Sequence, residues 1–344
     1  MNTENMNDFQ PAAVAAAKRK RKRFKWLVVL GLLLVCLGPN LYYRATSFAN
    51  RIRLTEIDQP HERRDVHPDS IKVMCWNIAH GRGTAKSNWS ESGAPKAERI
   101  MRIAEFIEKV DPDIVVLNEV DFSATWSGGF DQATAIAQRA GYKYVVRQTN
   151  LDFGFVYGRW QFGNAILSKL PILDHAAIDL PAHKTWEDWV VGRKRGMHVQ
   201  VQPFPEQDPV HLLGLHLESR SEETRVESVR FLNSYLAELE GPVLLAGDLN
   251  TTPPEAPKSS KTKSGENAFQ ILVQESDLQH FRVTNESPTE RLTFPAWEPV
   301  SAIDWILFRD SLQCRNHQVL QTKLSDHLPI VVDVYQNEKT WLVD

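Results

Sequence analysis

Asp248 and Asn250 follow the apolar run Val243-Leu244-Leu245-Ala246 and stand two positions apart. On an extended chain, residues two apart point to the same side. A carboxylate and an amide side by side at a strand tip can hold a water molecule or a metal ion. The plainer alternative is an Asx turn closing the strand, because Asp and Asn favour such positions. The same placement recurs along the chain. Asn77, Glu119, His216, Asp304, Asp326 and His327 each end or interrupt an apolar run. Each has an ordinary reading: a turn cap for Asn77, a solvated strand end for Glu119, a satisfied core histidine for His216, a turn for Ser325-Asp326-His327. Asp304, between Ile303 and Trp305, is harder to set aside, since a carboxylate in a buried strand must be paired or hydrogen-bonded. So many coincidences in one chain point to a shared site.

These residues need strands to carry them. Residues 71–78, 113–120, 142–147, 162–168, 195–201, 210–217, 243–249, 303–308 and 330–334 read as strands. Ala97 to Val110, with Ile100, Ile103, Ala104 and Ile107 at helical spacing, reads as an amphipathic helix, as do 131–140 and 222–240. Strands outnumber helices, and strand pairs occur without a helix between them. That pattern predicts an α/β sandwich of mixed sheets with helices outside, in one domain from 71 to 337.

Cys75-Trp76-Asn77-Ile78, Val116-Leu117-Asn118-Glu119, Gly163-Asn164-Ala165-Ile166-Leu167-Ser168, His216-Leu217, Gly247-Asp248-Leu249-Asn250, Ile303-Asp304-Trp305-Ile306 and Ser325-Asp326-His327-Leu328-Pro329 occur in this order. In these segments the chain resembles the endonuclease/exonuclease/phosphatase superfamily, the group of pancreatic DNase, abasic-site endonucleases, sphingomyelinases and inositol-polyphosphate 5-phosphatases. Asn118 departs from the pattern, where Gln is more usual. The resemblance implies a four-layered α/β sandwich, two mixed, mainly antiparallel sheets flanked by helices, with the site between them. It implies Glu119 as the main ligand of Mg²⁺ or Mn²⁺, with Asn77 beside it and Asp326 as a further metal or water contact. It implies Asp248 and Asn250 on the attacking water, and His327, oriented by Asp304, on the phosphate or as general base. His216 approaches the phosphate from the other side. The expected reaction is hydrolysis of a phosphate ester.

The N-terminal region differs in kind. Seven Lys/Arg fall between residues 18 and 25, and residues 26–38 are uncharged and apolar. With residues to 43, the run approaches the length of a bilayer span, flanked by Trp26, Tyr42 and Tyr43. A polar tail (1–25), a transmembrane signal anchor (26–43) and a linker (44–70) are expected. The basic block places the tail in the cytoplasm and the domain outside. A cleaved signal peptide, giving a secreted domain, is the alternative. Residues 1–50 hold eight of the 40 Lys/Arg and two of the 43 Asp/Glu, leaving 32 and 41 in the remainder, a net charge of −9. An acidic domain argues against strong binding to long nucleic acid, which needs many cations on phosphates. A small or lipid phosphoester is therefore favoured over DNA or RNA; a membrane-anchored endonuclease and an inactive membrane-tethered binding protein are the other readings. The selective parts are expected in loops 79–96, 121–130, 148–162, 179–194 and 251–268, with Trp186, Trp189, Arg193 and Lys194 as candidate contacts. Cys75 is expected as a buried thiol, with a Cys75–Cys314 disulfide as the alternative.

Overall fold

The computed structural model describes residues 10–49, 51–58, 70–91, 93–155, 158–184, 192–204, 207–256, 258–280 and 291–336. In chain order the elements are α1 (Gln10–Ala49), β1 (Ile52–Glu56), β2 (Ile71–Asn77), α2 (Gly93–Val110), β3 (Ile114–Ala124), α3 (Gln132–Ala140), β4 (Tyr144–Phe155), β5 (Gly158–Ser168), β6 (Ile172–Asp179), β7 (Arg195–Val201), β8 (Val210–His216), α4 (Glu222–Ala237), β9 (Val243–Asp248), α5 (Ala268–Glu275), β10 (Asp304–Arg309), β11 (Leu312–Val319) and β12 (Ile330–Gln336). A seven-stranded sheet has the order β1-β4-β5-β3-β2-β12-β11, and a five-stranded sheet the order β10-β9-β8-β7-β6.

Period-two alternation explains why the sheets stack and why helices cover both outer faces. Val73, Cys75, Val116 and Ile166 point inward and meet Met197, Val199, Leu212, Leu244, Ala246 and Ile306 from the other sheet. The intervening residues point outward. Met74, Trp76, Val115 and Leu117 pack against Ile100, Ile103 and Ile107 of α2 and Ile136 of α3. Leu213, Leu215, Val243 and Leu245 pack against Val226, Val229 and Leu232 of α4 and Phe269 and Leu272 of α5. The result is the expected four-layered α/β sandwich. Three of the outer helices, α3, α4 and α5, are fixed at their starts by side-chain caps: Asp131 accepts from Thr134 N, Ser221 from Thr224 N and Asn267 from Gln270 N.

Both sheets contain a parallel pair near the centre, β2 with β3 and β8 with β9. The carboxyl ends of these four strands therefore gather at one end of the sandwich. Gly247 is required at that end: a Cβ there would stand 1.8 Å from the Leu215 carbonyl oxygen of the neighbouring strand.

Several elements differ from expectation. Part of the stretch 44–70, read as linker, is β1, which pairs antiparallel with β4. Ile52 and Leu54 alternate toward the inter-sheet core, a signal too short to see between charged flanks. The stretch 148–162, read as a loop, is instead the paired β4–β5 hairpin. The edge strands β6 and β11 and the short α5 carry little apolar periodicity and were not expected. Helix α1 is longer than the expected span and begins inside the polar tail; Ala15–Thr46 is long and apolar enough to cross a membrane, a property that signal sequences share. Cys75 and Cys314 are free, buried thiols. Trp186 and Trp189 lie outside the described residues.

Gly247→Ala is expected to lower unfolding stability by roughly 3 kcal/mol, because the obstructing atom is backbone and cannot step aside. Urea denaturation checks this; an unchanged midpoint would show that the β8–β9 approach is looser than described.

Candidate active site

Seven of the eight predicted residues turn their side chains toward one another at the carboxyl ends of the central strands. Asn77 ends β2; its Nδ2 donates to Asp248 Oδ2 at 3.0 Å and to Glu119 Oε1 at 3.4 Å, and its Oδ1 accepts from Ala79 N. Glu119 sits where the β3–β5 register shifts between Leu117 and Val120, with φ +52°. A non-glycine residue in that region costs of order 1–3 kcal/mol and persists only where its surroundings impose it. His216 ends β8 and Asp248 ends β9, side by side in register. Asp304 opens β10 directly opposite Asp248. Asp326 and His327 lie in the turn before β12, where Ser325 Oγ donates to the Asn77 carbonyl.

Asn250 is the exception. It adopts φ +51°, its N–H donates to Asp248 Oδ1 at 3.0 Å, and its side-chain amide donates to the Leu217 carbonyl at 3.2 Å. Its amide nitrogen is thus already committed to holding the loop.

The electrostatics separate the groups into opposite states. Burial would depress the His327 imidazole, but Asp304, whose Oδ2 is 2.9 Å from Nδ1, and Asp248 outweigh it and hold the ring at about 10. Burial pushes His216 down to about 4, and Lys194, 2.9 Å from its Nε2, pushes the same way. At neutral pH one histidine is a cation and the other neutral. Burial would raise Glu119, yet the cationic side chains around it, His80 and Arg82 among them, hold it well below the usual carboxylate range. Burial pushes the Asp248 carboxyl up, and against the pull of His327 it stays above its ordinary value.

From the sequence, Arg82 reads only as a basic residue near the site, and His80 and Asp121 do not stand out as members of it. Arg82 donates to Glu119 Oε2 at 3.0 Å and to Asp326 Oδ2 at 2.6 Å, so one guanidinium spans both carboxylates. His80 Nδ1 is 2.7 Å from Asp121 Oδ1, and its Nε2 is 3.4 Å from Glu119 Oε2. The only sequence signals are a Gly-bounded loop after Asn77 and an acid two residues after Glu119. A cleft of about 290 Å³ opens beside these residues, lined by Phe162, His183, Arg193, Lys194, Glu218 and Arg220 among others. Arg195 and Arg225 are structural: Arg195 pairs with Asp179, and Arg225 with Glu222 inside α4.

The model of the Endonuclease/Exonuclease/phosphatase family matches residues 74–327, a span that contains every residue of this cluster from Asn77 to His327. The chain belongs to the endonuclease/exonuclease/phosphatase family. No curated protein matches it significantly. Solved structures share the fold at low identity. An endonuclease/exonuclease/phosphatase from Beutenbergia cavernae is 21% identical with a TM-score of 0.60, covering 78% of this chain and 72% of that one. The human Nocturnin catalytic domain with bound sulfate is 19% identical, TM-score 0.53, covering 83% and 97%. ANGEL2, a 2',3'-cyclic phosphatase, is 14% identical, TM-score 0.53, covering 83% and 98%. This family membership supports a phosphoester hydrolase.

The raised His327 sets a pH window. Its ordinary value is 6.5 and its folded value about 10, so its contribution to stability is complete below 6.5 and lost as pH rises through 10. In Asp304→Asn the imidazole loses its main anionic partner, and the alkaline loss of stability between neutral pH and pH 10 is expected to flatten. Denaturant midpoints across that range check this; parallel curves for parent and variant would separate Asp304 from the His327 charge.

Proposed function

We propose that the chain is a divalent-metal-dependent hydrolase of small or lipid phosphoesters. The observation that carries this reading is the meeting of the Asp304-held His327, the Asp248 carboxyl and the Arg82-bound Glu119 carboxylate at the same strand ends. Water attack on a phosphate ester asks for these three groups at once: a base, a charge on the phosphate and an anionic ligand for a cation.

The residues fit a hard cation. Glu119 and Asp326 are oxygen donors 3.0 and 2.6 Å from a single guanidinium, so they already share one positive charge, and Asn77 lies beside them. Oxygen donors suit Mg²⁺ or Mn²⁺. Asp248, Asp304 and His327 also offer ligand atoms within 4.8 Å of one another. Two of these three groups are already engaged with each other, however: Asp304 Oδ2 lies 2.9 Å from His327 Nδ1. We therefore assign the metal to Glu119, with Asn77 and Asp326, and the phosphate to His327. A bound cation would neutralise phosphate charge there.

In this reading Asp248 takes the proton of the attacking water. The water oxygen bonds to phosphorus as the ester oxygen leaves. His327, held by Asp304 and 3.8 Å from Asp248 Oδ2, stabilises the developing charge and is a phosphate binder rather than a general base. Neutral His216, 3.6 Å from the same oxygen, can accept or donate one hydrogen bond. Asn250 positions the Asp248 loop through its backbone. Helix α1 supports a membrane anchor with its basic end in the cytoplasm and residues 71–337 outside; Lys and Arg fill positions 18–23 and all are exposed. The net charge of −9 outside residues 1–50 favours a small or lipid ester over long nucleic acid.

Glu119→Gln is expected to lower turnover of bis-p-nitrophenyl phosphate with Mg²⁺ by about 100-fold or more, in line with loss of a charged group at a reacting centre, while leaving the fold intact. Equal rates for parent and variant across a Mg²⁺ titration would remove Glu119 from the site. Plasmid DNA cleaved efficiently at physiological salt, with phospholipid vesicles and soluble diesters untouched, would replace the substrate assignment with a nuclease.

Arg82→Met leaves two neighbouring carboxylates without their shared cation. The variant is expected to melt lower than the parent without divalent metal, and to gain more from added Mg²⁺ than the parent does. An identical Mg²⁺ response in both would place the cation elsewhere.

A further inference from the structure

The two faces of the β4–β5 hairpin do different work. Asp152, Arg159 and Gln161 share one face, where Arg159 is bound to both Asp152 oxygens and Gln161 Nε2 donates to Asp152. Helix α1 lies along this face. Thr46 lines a pocket with Arg53, Thr149, Asp152 and Arg159. One turn earlier, the Tyr43 ring stands 4.4 Å from the Arg159 guanidinium, and a Cβ on Gly154 would come within 2.5 Å of it. Moving toward the N-terminus of α1 is thus moving from Asp152 toward Gly154. Asn40 is buried, but residues 15–37 are exposed. The apolar run leaves the domain at the Gly154–Arg159 end of the hairpin.

Aromatic rings occupy the opposite face at the same level. Phe153 and Trp160 are 6.0 Å apart, Trp160 is 6.4 Å from Trp126, and Trp89 is 5.6 Å from Trp126 and 6.1 Å from Trp160. Trp89 is 66% exposed, whereas its partners Trp126 and Trp160 are half-buried. Its loop is not loosely held. Lys96, fully buried, donates its ammonium to the Asn88 carbonyl and, at 3.0 Å, to the Trp126 carbonyl. A buried lysine that ties together two aromatic-bearing loops fixes the position of an exposed indole. The same cluster runs into the active site: Trp126 and His80 both touch Phe162, and Trp126 Nε1 donates to Asp121, the partner of His80.

We propose that Trp89, carried on Trp126 and Trp160, is a bilayer-interface contact that sets the active-site end of the domain against the membrane into which α1 runs. Indole suits that boundary, with an apolar body and one polar N–H. The occupant is the bilayer because the only long apolar helix among the described residues exits beside the same end of the hairpin, where Arg159 meets Tyr43 and Trp160 meets Phe153. The substrate class this geometry selects is a phosphoester at the membrane surface; that clause rests on the proposed hydrolase activity, whereas the contact does not.

The test reconstitutes the full chain in phosphatidylcholine vesicles carrying dibrominated phosphatidylcholine, whose bromines quench only indoles at the bilayer. Trp89→Phe, which keeps the ring packing, is expected to remove a lipid-quenchable component of the emission, as Trp26→Phe in α1 does. Loss with Trp26→Phe but not with Trp89→Phe would overturn the contact and leave the anchor standing. Loss with neither would overturn the premise that α1 enters the bilayer. Hydrolysis of bis-p-nitrophenyl phosphate by the same vesicles reports separately on catalysis: its absence would sink the hydrolase reading without touching the contact.

Discussion

The side-chain amide of Asn118 is the bond on which the site's geometry depends. It projects from β3 across the gap between the sheets. Its Oδ1 accepts from Asp248 N at 2.9 Å, and its Nδ2 donates to the Leu215 carbonyl at 3.0 Å and to Asn164 Oδ1 at 2.9 Å. One buried group thereby ties the seven-stranded sheet to the ends of β8 and β9, and it does so next to Glu119. Removing it would leave several buried polar groups unpaired, each at about 1–3 kcal/mol. The hydrophobic layers press the sheets together without direction; this amide fixes their register at the functional end.

With the register fixed, opposed charges fall into place. His327 is cationic because two carboxylates surround it, and His216 is neutral because it is buried beside an ammonium. Glu119 stays ionised because cations ring it. Each state depends on partners from other strands, so the site is a property of the assembled sheets rather than of any one motif. The positive φ angles of Glu119 and Asn250 belong to the same logic: Glu119 leaves regular strand geometry with its side chain among the converging residues, and Asn250 turns the chain after β9 so that its amide holds the loop.

This division explains what could be read from the chain. Continuous apolar runs, each ending in a polar residue, exposed the central strands and the seven predicted residues that converge, because burial on both faces of a strand leaves an unbroken signal. Asn118 was visible only as a departure from a familiar pattern; its cross-sheet role appears once the sheets are stacked. Arg82 and Asp326 are separated by 244 positions, and no local spacing announces their contact. The edge strand β1 was hidden because one edge strand needs only two inward residues, Ile52 and Leu54. The stretch 148–162 of the β4–β5 hairpin reads as a loop because Gly154 and Gly158 interrupt its pattern, and Gly154 serves the close approach of Tyr43.

The central claim is that water, activated beside Asp248, attacks phosphorus. It is tested most directly by hydrolysing bis-p-nitrophenyl phosphate with the full chain and Mg²⁺ in heavy-oxygen water and locating the label by mass spectrometry. The heavy oxygen is expected in the nitrophenyl phosphate product. Label in the nitrophenol, which would mean cleavage at carbon, would contradict it.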